Sequence, residues 1–539
     1  MISSIRLDQL RRVEWIVAIL LSLTVIFLIA VRVNRAGALW RDECAVVQLA
    51  RMPHVSDITG NFQHEAFPVP FPILIRGYTN LFGDSDASLR GFGGAVGLAL
   101  VCALWLSARC AGDGLPMVSL PFLGLSSTVL IWGLTIRGYG LGSVFIILAF
   151  GLFVLLLRKS SAAIVGAAAL ASIAAVQFLV HNLVLVFALA ISGIVICSLR
   201  RDARMMAVFL AIFALCAISF LPYVNAYSSG SPWSIVVETP LSFRRLSNHF
   251  IVAAGDPSPA FASCWGIAFL VLLSAATLRL YHLHRRRSYP ERDILFYLML
   301  LPVIATAGYY LFLRLLNYST RPWYFLALLS ILAVSLDGLA AHLLSFKWMR
   351  LCRLLFAFVA LIILPFLVWP KVRERQSNID IVAKKVAELA RPLDLIVVAP
   401  WQYGVSFNRY YKGTAPWITL PQIADLRFHR YDLFREKMVS SHPIDDVLGE
   451  IQRALAAGNR VWFVGGLIQM QENDIPRSLS PAPDPTSGWD NRAYNRSWLE
   501  QLSAFVRVHG ERGQTVSLTS AGPVNELENV PLMVVEGWQ

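Results

Sequence analysis

The chain is 539 residues long, with 56% apolar and 15% charged residues and a mean hydropathy of +0.58. That composition does not fit a soluble surface, and it rules out disordered, collagenous and disulfide-scaffold classes. A net charge of +13 raises the question of a nucleic-acid partner, but residues 1–369 carry 28 Lys+Arg against 15 Asp+Glu while residues 370–539 carry 19 of each. The excess sits in the apolar part, where membrane loops and anionic lipids call for it, and nucleic-acid binding loses its main support.

Apolar runs near twenty residues long point to spanning helices rather than the ten-residue alternation of a barrel. Windowed hydropathy predicts about eleven, at 14–31, 91–109, 115–133, 139–157, 162–180, 183–198, 205–222, 263–280, 294–313, 322–341 and 351–369. The first is preceded by Arg6, Arg11 and Arg12 and lacks a small-residue cleavage site, so it reads as an uncleaved signal anchor with a cytoplasmic N-terminus. The short loops that then fall inside carry Arg109, Arg158 and Lys159, Arg200, Arg201 and Arg204, Arg285 to Arg287 with Arg292, and Lys347, Arg350 and Arg353. This is the positive-inside pattern.

An odd number of spans places the long first loop, 32–90, and everything after Trp369 on the far side, for a bacterial inner (plasma) membrane the periplasm. The expected organisation is a polytopic helical membrane domain over 1–369 and an extracytoplasmic α/β domain over 370–539. Seven cysteines, all upstream of Pro370, show neither a disulfide framework nor zinc spacing. Asp337, an acid inside a span beside Gly338 and His342, reads as satisfied at the cytoplasmic interface.

The first loop balances Arg32, Arg35, Arg41, Arg51, Arg76 and Arg90 against Asp42, Glu43, Asp57, Glu65, Asp84 and Asp86. It is either a solvated connector or a polar site for an anionic headgroup. Directly after the first span stands Leu39-Trp40-Arg41-Asp42-Glu43-Cys44, followed by Gln63-His64-Glu65-Ala66-Phe67-Pro68-Val69-Pro70 and by Leu81-Phe82-Gly83-Asp84-Ser85 with Leu89-Arg90. Thr135-Ile136-Arg137-Gly138-Tyr139 precedes the fourth span, and Ser319-Thr320-Arg321-Pro322-Trp323-Tyr324 opens a late one.

In joint order and topology these segments resemble the GT-C superfamily of membrane glycosyltransferases, near the protein mannosyltransferases and the lipid A aminoarabinose and galacturonosyl transferases. The resemblance covers roughly residues 1–370. It departs from the family pattern in reading His-Glu-Ala-Phe-Pro-Val-Pro in place of adjacent prolines, and in lacking a lysine there. It implies an inverting enzyme that moves a sugar from a polyprenyl-phosphate carrier to a glycolipid, polysaccharide or protein acceptor.

The residue chemistry can be argued beside the resemblance. Attack by an acceptor hydroxyl needs a base, for which Asp42 is the candidate with Glu43 beside it. The departing phosphate gathers negative charge that fixed guanidinium groups stabilise, so Arg137 and Arg321 are candidates with Arg41 behind them; Tyr139 and Tyr324 belong to the same motifs. Glu43 and Glu65 either orient the acceptor, hold Arg41, or join Asp42 in ligating Mg²⁺ or Mn²⁺. His64 is either a second base and phosphate donor or a structural hydrogen-bond partner. Arg137 and Arg321 each have the alternative of interfacial anchoring.

After Pro370 the pattern predicts helices near 378–390, 443–457 and 496–508, strands over 393–398, 460–464, 514–519 and 530–535, and a long loop at 473–491. Gly465-Gly466 is a turn signal, and no nucleotide-binding loop, His/Cys cluster or nucleophile elbow appears. The domain is expected to admit or select the acceptor. Three rival readings remain: a lipid-linked glycan polymerase or ligase; a transporter or flippase of lipid-linked sugars, which calls for midplane charges and broken helices in repeated halves; and a noncatalytic scaffold.

Overall fold

The structure, a computed structural model, describes residues 2–65, 67–225, 228, 233–238, 241–286, 289–471 and 474–539, with the side chains of 2–8, 284–286, 289–290 and 347 outside the description. Of the residues read as cytoplasmic, Arg287 therefore lies outside the described residues, and the side chains of Arg6, Arg285, Arg286 and Lys347 lie outside the description. Two units make up the chain. One comprises Met1–Asn34, Ala87–Val224 and Pro240–Val372; the other gathers Arg35–Asp86, Asn225–Thr239 and Arg373–Gln539.

The first unit is helical, and the protein is a multi-pass membrane protein. Among the described residues nine helices are long and apolar enough to cross a membrane: Gln9–Arg35, Asp86–Ala111, Gly138–Arg158, Asn182–Arg200, Ala203–Tyr223, Pro259–Leu283, Glu291–Leu316, Pro322–His342 and Trp348–Val372. A shorter apolar helix, Ala162–Phe178, has 17 residues, which rise about 26 Å, close to the hydrocarbon thickness. Large apolar side chains such as Leu170, Leu210, Leu270 and Phe366 stand exposed, as a lipid-facing surface requires.

The run expected as one span over 115–133 is broken. Proline and glycine interrupt it: a π-helical turn, Leu120–Gly124, contains Pro121, and a short helix, Ser127–Trp132, follows. It still returns the chain across the unit. Arg158, ending the Gly138–Arg158 helix, donates to the carbonyls of Cys110 and Ala111 at the end of Asp86–Ala111, each at 2.9 Å. These two helices finish at the same level, so the stretch between them must traverse. Of the eleven runs expected from hydropathy, nine are long spanning helices, 162–180 is a shorter helix and 115–133 is this broken segment.

Asp337 is enclosed by the helical unit. It is buried, and its two carboxylate oxygens accept the backbone N–H groups of Val118 at 2.8 Å and Ser119 at 2.9 Å. A buried irregular backbone needs acceptors from the protein itself, and Asp337 supplies them to the broken segment.

Charge at the helix ends is likewise paired internally. Arg353 bridges Glu14 at 3.1 Å and Asp113 at 2.7 Å with its side chain 1% exposed, which ties the start of the last span to the first. Arg200 and Arg292 converge on Asp293 at 2.7 and 2.9 Å.

The second unit is built on a five-stranded sheet of β1 (Leu395–Val398), β2 (Trp417–Thr419), β3 (Val461–Val464), β4 (Gly510–Thr515) and β5 (Leu532–Trp538). The order is β2-β1-β3-β5-β4, with β2, β1 and β3 parallel and β5 and β4 antiparallel. Because side chains alternate across a strand, Val397, Val461, Phe463 and Val535 face the helices Tyr431–Val439, Asp445–Ala456 and Asn491–His509 through Phe434, Ile451 and Trp498. Ile396, Val398, Trp462, Val464 and Leu532 face the Ile379–Leu389 helix and Phe407. The result is a three-layer α/β core. Gly465, after β3, has φ of +103°, and a Cβ there would meet the carbonyl oxygen of Ala399 at 1.7 Å, so the turn read at Gly465-Gly466 admits glycine alone.

Against the sequence expectation, the helix expected at 496–508 begins earlier, at Asn491. The strand expected at 514–519 lies instead at Gly510–Thr515, because an exposed polar edge strand carries no apolar signature. The strand β2 and the helices Tyr403–Tyr410 and Tyr431–Val439 had no predicted counterpart.

Arg353→Met would leave Glu14 buried without its closest cation, and loss of one partner of a buried pair costs about 3–5 kcal/mol. The full chain in detergent is expected to melt several degrees lower, measured by thermal unfolding; an unchanged melting temperature would remove the cluster from the stability of the helical unit.

Candidate functional site

In the second unit the string after the first span becomes the start of a helix, Arg41–Ala50, with Trp40 as N-cap. The first backbone N–H groups of a helix have no partners within it, and here two carboxylates take them. Glu43 accepts the Trp40 N–H at 3.2 Å, and Glu528, from the far end of the chain, accepts the Arg41 N–H at 3.0 Å. Glu528 also faces the Arg41 guanidinium at 3.4 Å and accepts from Ser377 at 3.0 Å and Ser406 at 2.9 Å. Burial pushes Glu528 up to about 7, with Arg41 and these donors opposing the rise. For Arg41 burial works against the charge, but Glu528 and then Asp42 outweigh it and hold the guanidinium charged.

The first-loop acids sort by what they touch. Glu43 is fully buried in its capping role, and Asp57 accepts the His54 N–H at 2.9 Å at the start of the Val55–Asn61 helix. Asp84 is bound by Arg51 and faced by Arg409 at 3.9 Å. Asp86 accepts from Tyr410 at 2.8 Å and Arg409 at 3.2 Å. Asp42 keeps 29% of its side chain exposed, against 38% for Asp84 and 31% for Asp86, with Arg41 Nε at 3.9 Å and His429 Nε2 at 3.7 Å from its Oδ1.

His64 lies on the short turn Phe62–His64, followed by Glu65, whose N–H donates to Phe62 at 2.9 Å. The His64 ring is stacked on Phe428 at 5.1 Å and Trp233 at 5.8 Å, with Asp432 at 3.9 Å from Nδ1. Burial lowers its proton affinity and Asp432 only partly restores it. Asp42 and His64 are thus bridged by consecutive residues, His429 and Phe428, which the sequence reading passed over. Their signal is the string Phe428-His429-Arg430-Tyr431-Asp432, dense in rings and charges.

Among the described residues no three His, Cys, Asp or Glu side chains are grouped so as to hold a metal ion. Asp42, Glu43 and Glu65 do not form the expected Mg²⁺ or Mn²⁺ set, because Glu43 is turned back onto the Trp40 backbone.

In the helical unit the two arginine motifs, distant in sequence, meet through their aromatics. Trp132 stacks on Trp323 at 3.9 Å and Tyr139 on Tyr324 at 6.0 Å. Arg137 is N-cap to the Gly138–Arg158 helix and buried, which does not suit a side chain snorkelling to lipid headgroups. Arg321 is N-cap to the turn Pro322–Phe325 and exposed. Beside them Thr320 pairs with His249 at 3.0 Å, and the Tyr309 hydroxyl reaches His181 at 3.2 Å and the Tyr324 carbonyl.

No family model and no curated protein matches the chain. Among solved structures it is similar to ArnT from Cupriavidus metallidurans, in the apo state and bound to undecaprenyl phosphate, in each case with a TM-score of 0.49 and 12% identity over 84% of this chain and 92% of that one. It is also similar to the Archaeoglobus fulgidus oligosaccharyltransferase tethered with an acceptor peptide containing the NVT sequon, with a TM-score of 0.46 and 11% identity over 95% of this chain and 74% of that one.

A raised carboxyl contributes stability that is full below its unfolded value and lost as pH rises through its folded one. For Glu528, between about 4.5 and about 7, this amounts to about 3 kcal/mol. The melting temperature of wild type relative to Glu528→Gln is therefore expected to fall between pH 4.5 and 7.5; a constant difference would show that Glu528 does not titrate in that window.

Proposed function

We propose that this protein is a GT-C type glycosyltransferase of the bacterial inner membrane, moving a sugar from a polyprenyl-phosphate carrier to a glycolipid, glycan or protein acceptor on the periplasmic side, with inversion. The N-terminus is then cytoplasmic and the sheet unit periplasmic. The observation that carries this reading is the place of Asp42 at the start of the Arg41–Ala50 helix, part-exposed, with Arg41 Nε at 3.9 Å and His429 Nε2 at 3.7 Å from its Oδ1. The ordered motifs from Trp40 to Tyr324 supply the family context.

In this mechanism the acceptor O–H proton passes to the Asp42 carboxylate as the acceptor oxygen attacks the anomeric carbon. The carbon–oxygen bond to phosphate breaks, and its electron pair leaves on the carrier phosphate. Arg137 and Arg321 are assigned to that phosphate, where a fixed guanidinium stabilises charge more than reorienting water does. Tyr139 and Tyr324 hold the two motifs together, while Glu43 and Glu65 act as positioning groups. No step requires a metal.

Purified protein supplied with a panel of polyprenyl-phosphate sugars and candidate acceptors should consume one donor, and Asp42→Asn should slow turnover by about 10²–10⁴-fold, the range for loss of a general base. Arg137→Gln and Arg321→Gln should raise the donor KM. Equal turnover of wild type and Asp42→Asn would remove Asp42 from the mechanism, and movement of carrier between leaflets without consumption would indicate a transporter.

A further inference from the structure

The segment Asp425–Asp432 is braced from within. Arg427 binds Asp425 through two bonds of 3.0 and 2.9 Å. Arg430 clasps Asp432 and reaches Asp425 at 3.2 Å, and the Tyr431 N–H donates to the His429 carbonyl at 3.0 Å. The His429 ring is 6.1 Å from Tyr431, nearly parallel at 17°, and meets the buried Trp401 edge-on at 6.2 Å. His429 is 8% exposed. Backbone, ion pairs and ring walls together leave the imidazole little freedom, and the nitrogen they present, Nε2, is the one facing Asp42.

We propose that His429 is the positioning residue of Asp42, holding its carboxylate at one orientation toward the acceptor from the opposite wall of the second unit. The inference rests on the proposed glycosyl transfer for its catalytic meaning and on geometry for the pairing itself. A carboxylate at a helix start has free rotation about its side-chain bonds unless something outside the helix meets it. Here Arg41 approaches from the same helix and His429 from a segment nearly 390 positions later in the chain. Charged and titratable groups around the pair are Arg41 with Glu528 behind it, Tyr403 and Tyr431 facing Arg41, and, beyond Phe428, His64 with Asp432 and Arg430.

The test uses the full chain in detergent. His429→Phe keeps the ring against Tyr431 and Trp401 but removes the nitrogen; His429→Gln restores an amide donor. His429→Phe should lower kcat by about tenfold to a hundredfold, the scale of a misplaced reacting group, with the donor KM unchanged, and His429→Gln should recover most of it. Asp42→Asn/His429→Phe should be no slower than Asp42→Asn alone. A His429→Phe variant as fast as wild type, or a double variant slowed by the product of the single effects, would overturn the proposal. The same four proteins are melted: the double variant should depart from the sum of the single shifts by about 1 °C or more. If wild type consumes no donor, the glycosyltransferase reading fails and this melting cycle alone decides the pairing, with additive shifts counting against it.

Discussion

The start of the Arg41–Ala50 helix hangs on a buried carboxylate contributed from the other end of the chain. Glu528 takes the backbone N–H and the guanidinium of Arg41 while two serine hydroxyls complete its shell. A buried charge of this kind is costly unless it is fully paired, and the four donors around Glu528 are what make its position tolerable. In return the helix acquires a fixed origin. With Glu43 holding the Trp40 N–H, the two residues flanking Asp42 are committed to the backbone, and Asp42 projects from a rigid turn.

The same economy runs through the rest of the first loop. A loop rich in both signs of charge could have remained a solvated connector, yet its acids are distributed among helix caps and arginine pairs. Tyr410 and Arg409, on one short helix, hold Asp86, and Tyr410 also accepts the Leu39 N–H at 2.7 Å. Gln48 exchanges hydrogen bonds with Val405 and Asn408 at 3.1 and 2.7 Å. The loop is therefore an integral layer of the second unit, and within its acidic pair Glu43 is buried as a cap while Asp42 stays part-exposed.

In the helical unit the organising constraint is the need to satisfy polar groups away from water. Asp337 meets the exposed N–H groups of the broken crossing, and paired tryptophans and tyrosines bring the motifs around Arg137 and Arg321 side by side. Each unit thus presents one cluster of the residues singled out from sequence: carboxylate and imidazoles in one, guanidiniums and phenols in the other.

Properties that depend on neighbours in sequence were readable without coordinates. Hydropathy located the nine helices long enough to span, since a span is defined by local apolar length, and the buried runs Leu395–Val398 and Val461–Val464 announced β1 and β3. The three-residue β2 and the polar edge strand β4 were too short or too exposed to leave a pattern. The Trp-Arg-Asp-Glu string marked Asp42 as the candidate base with Glu43 beside it, but nothing in its vicinity showed that Glu43 turns back as a cap. That distinction belongs to the tertiary structure, because it depends on which backbone N–H groups and which distant side chains arrive at each carboxylate. Glu528 and His429 lie hundreds of residues from the string they touch, and only folding brings them within hydrogen-bonding and ion-pairing range.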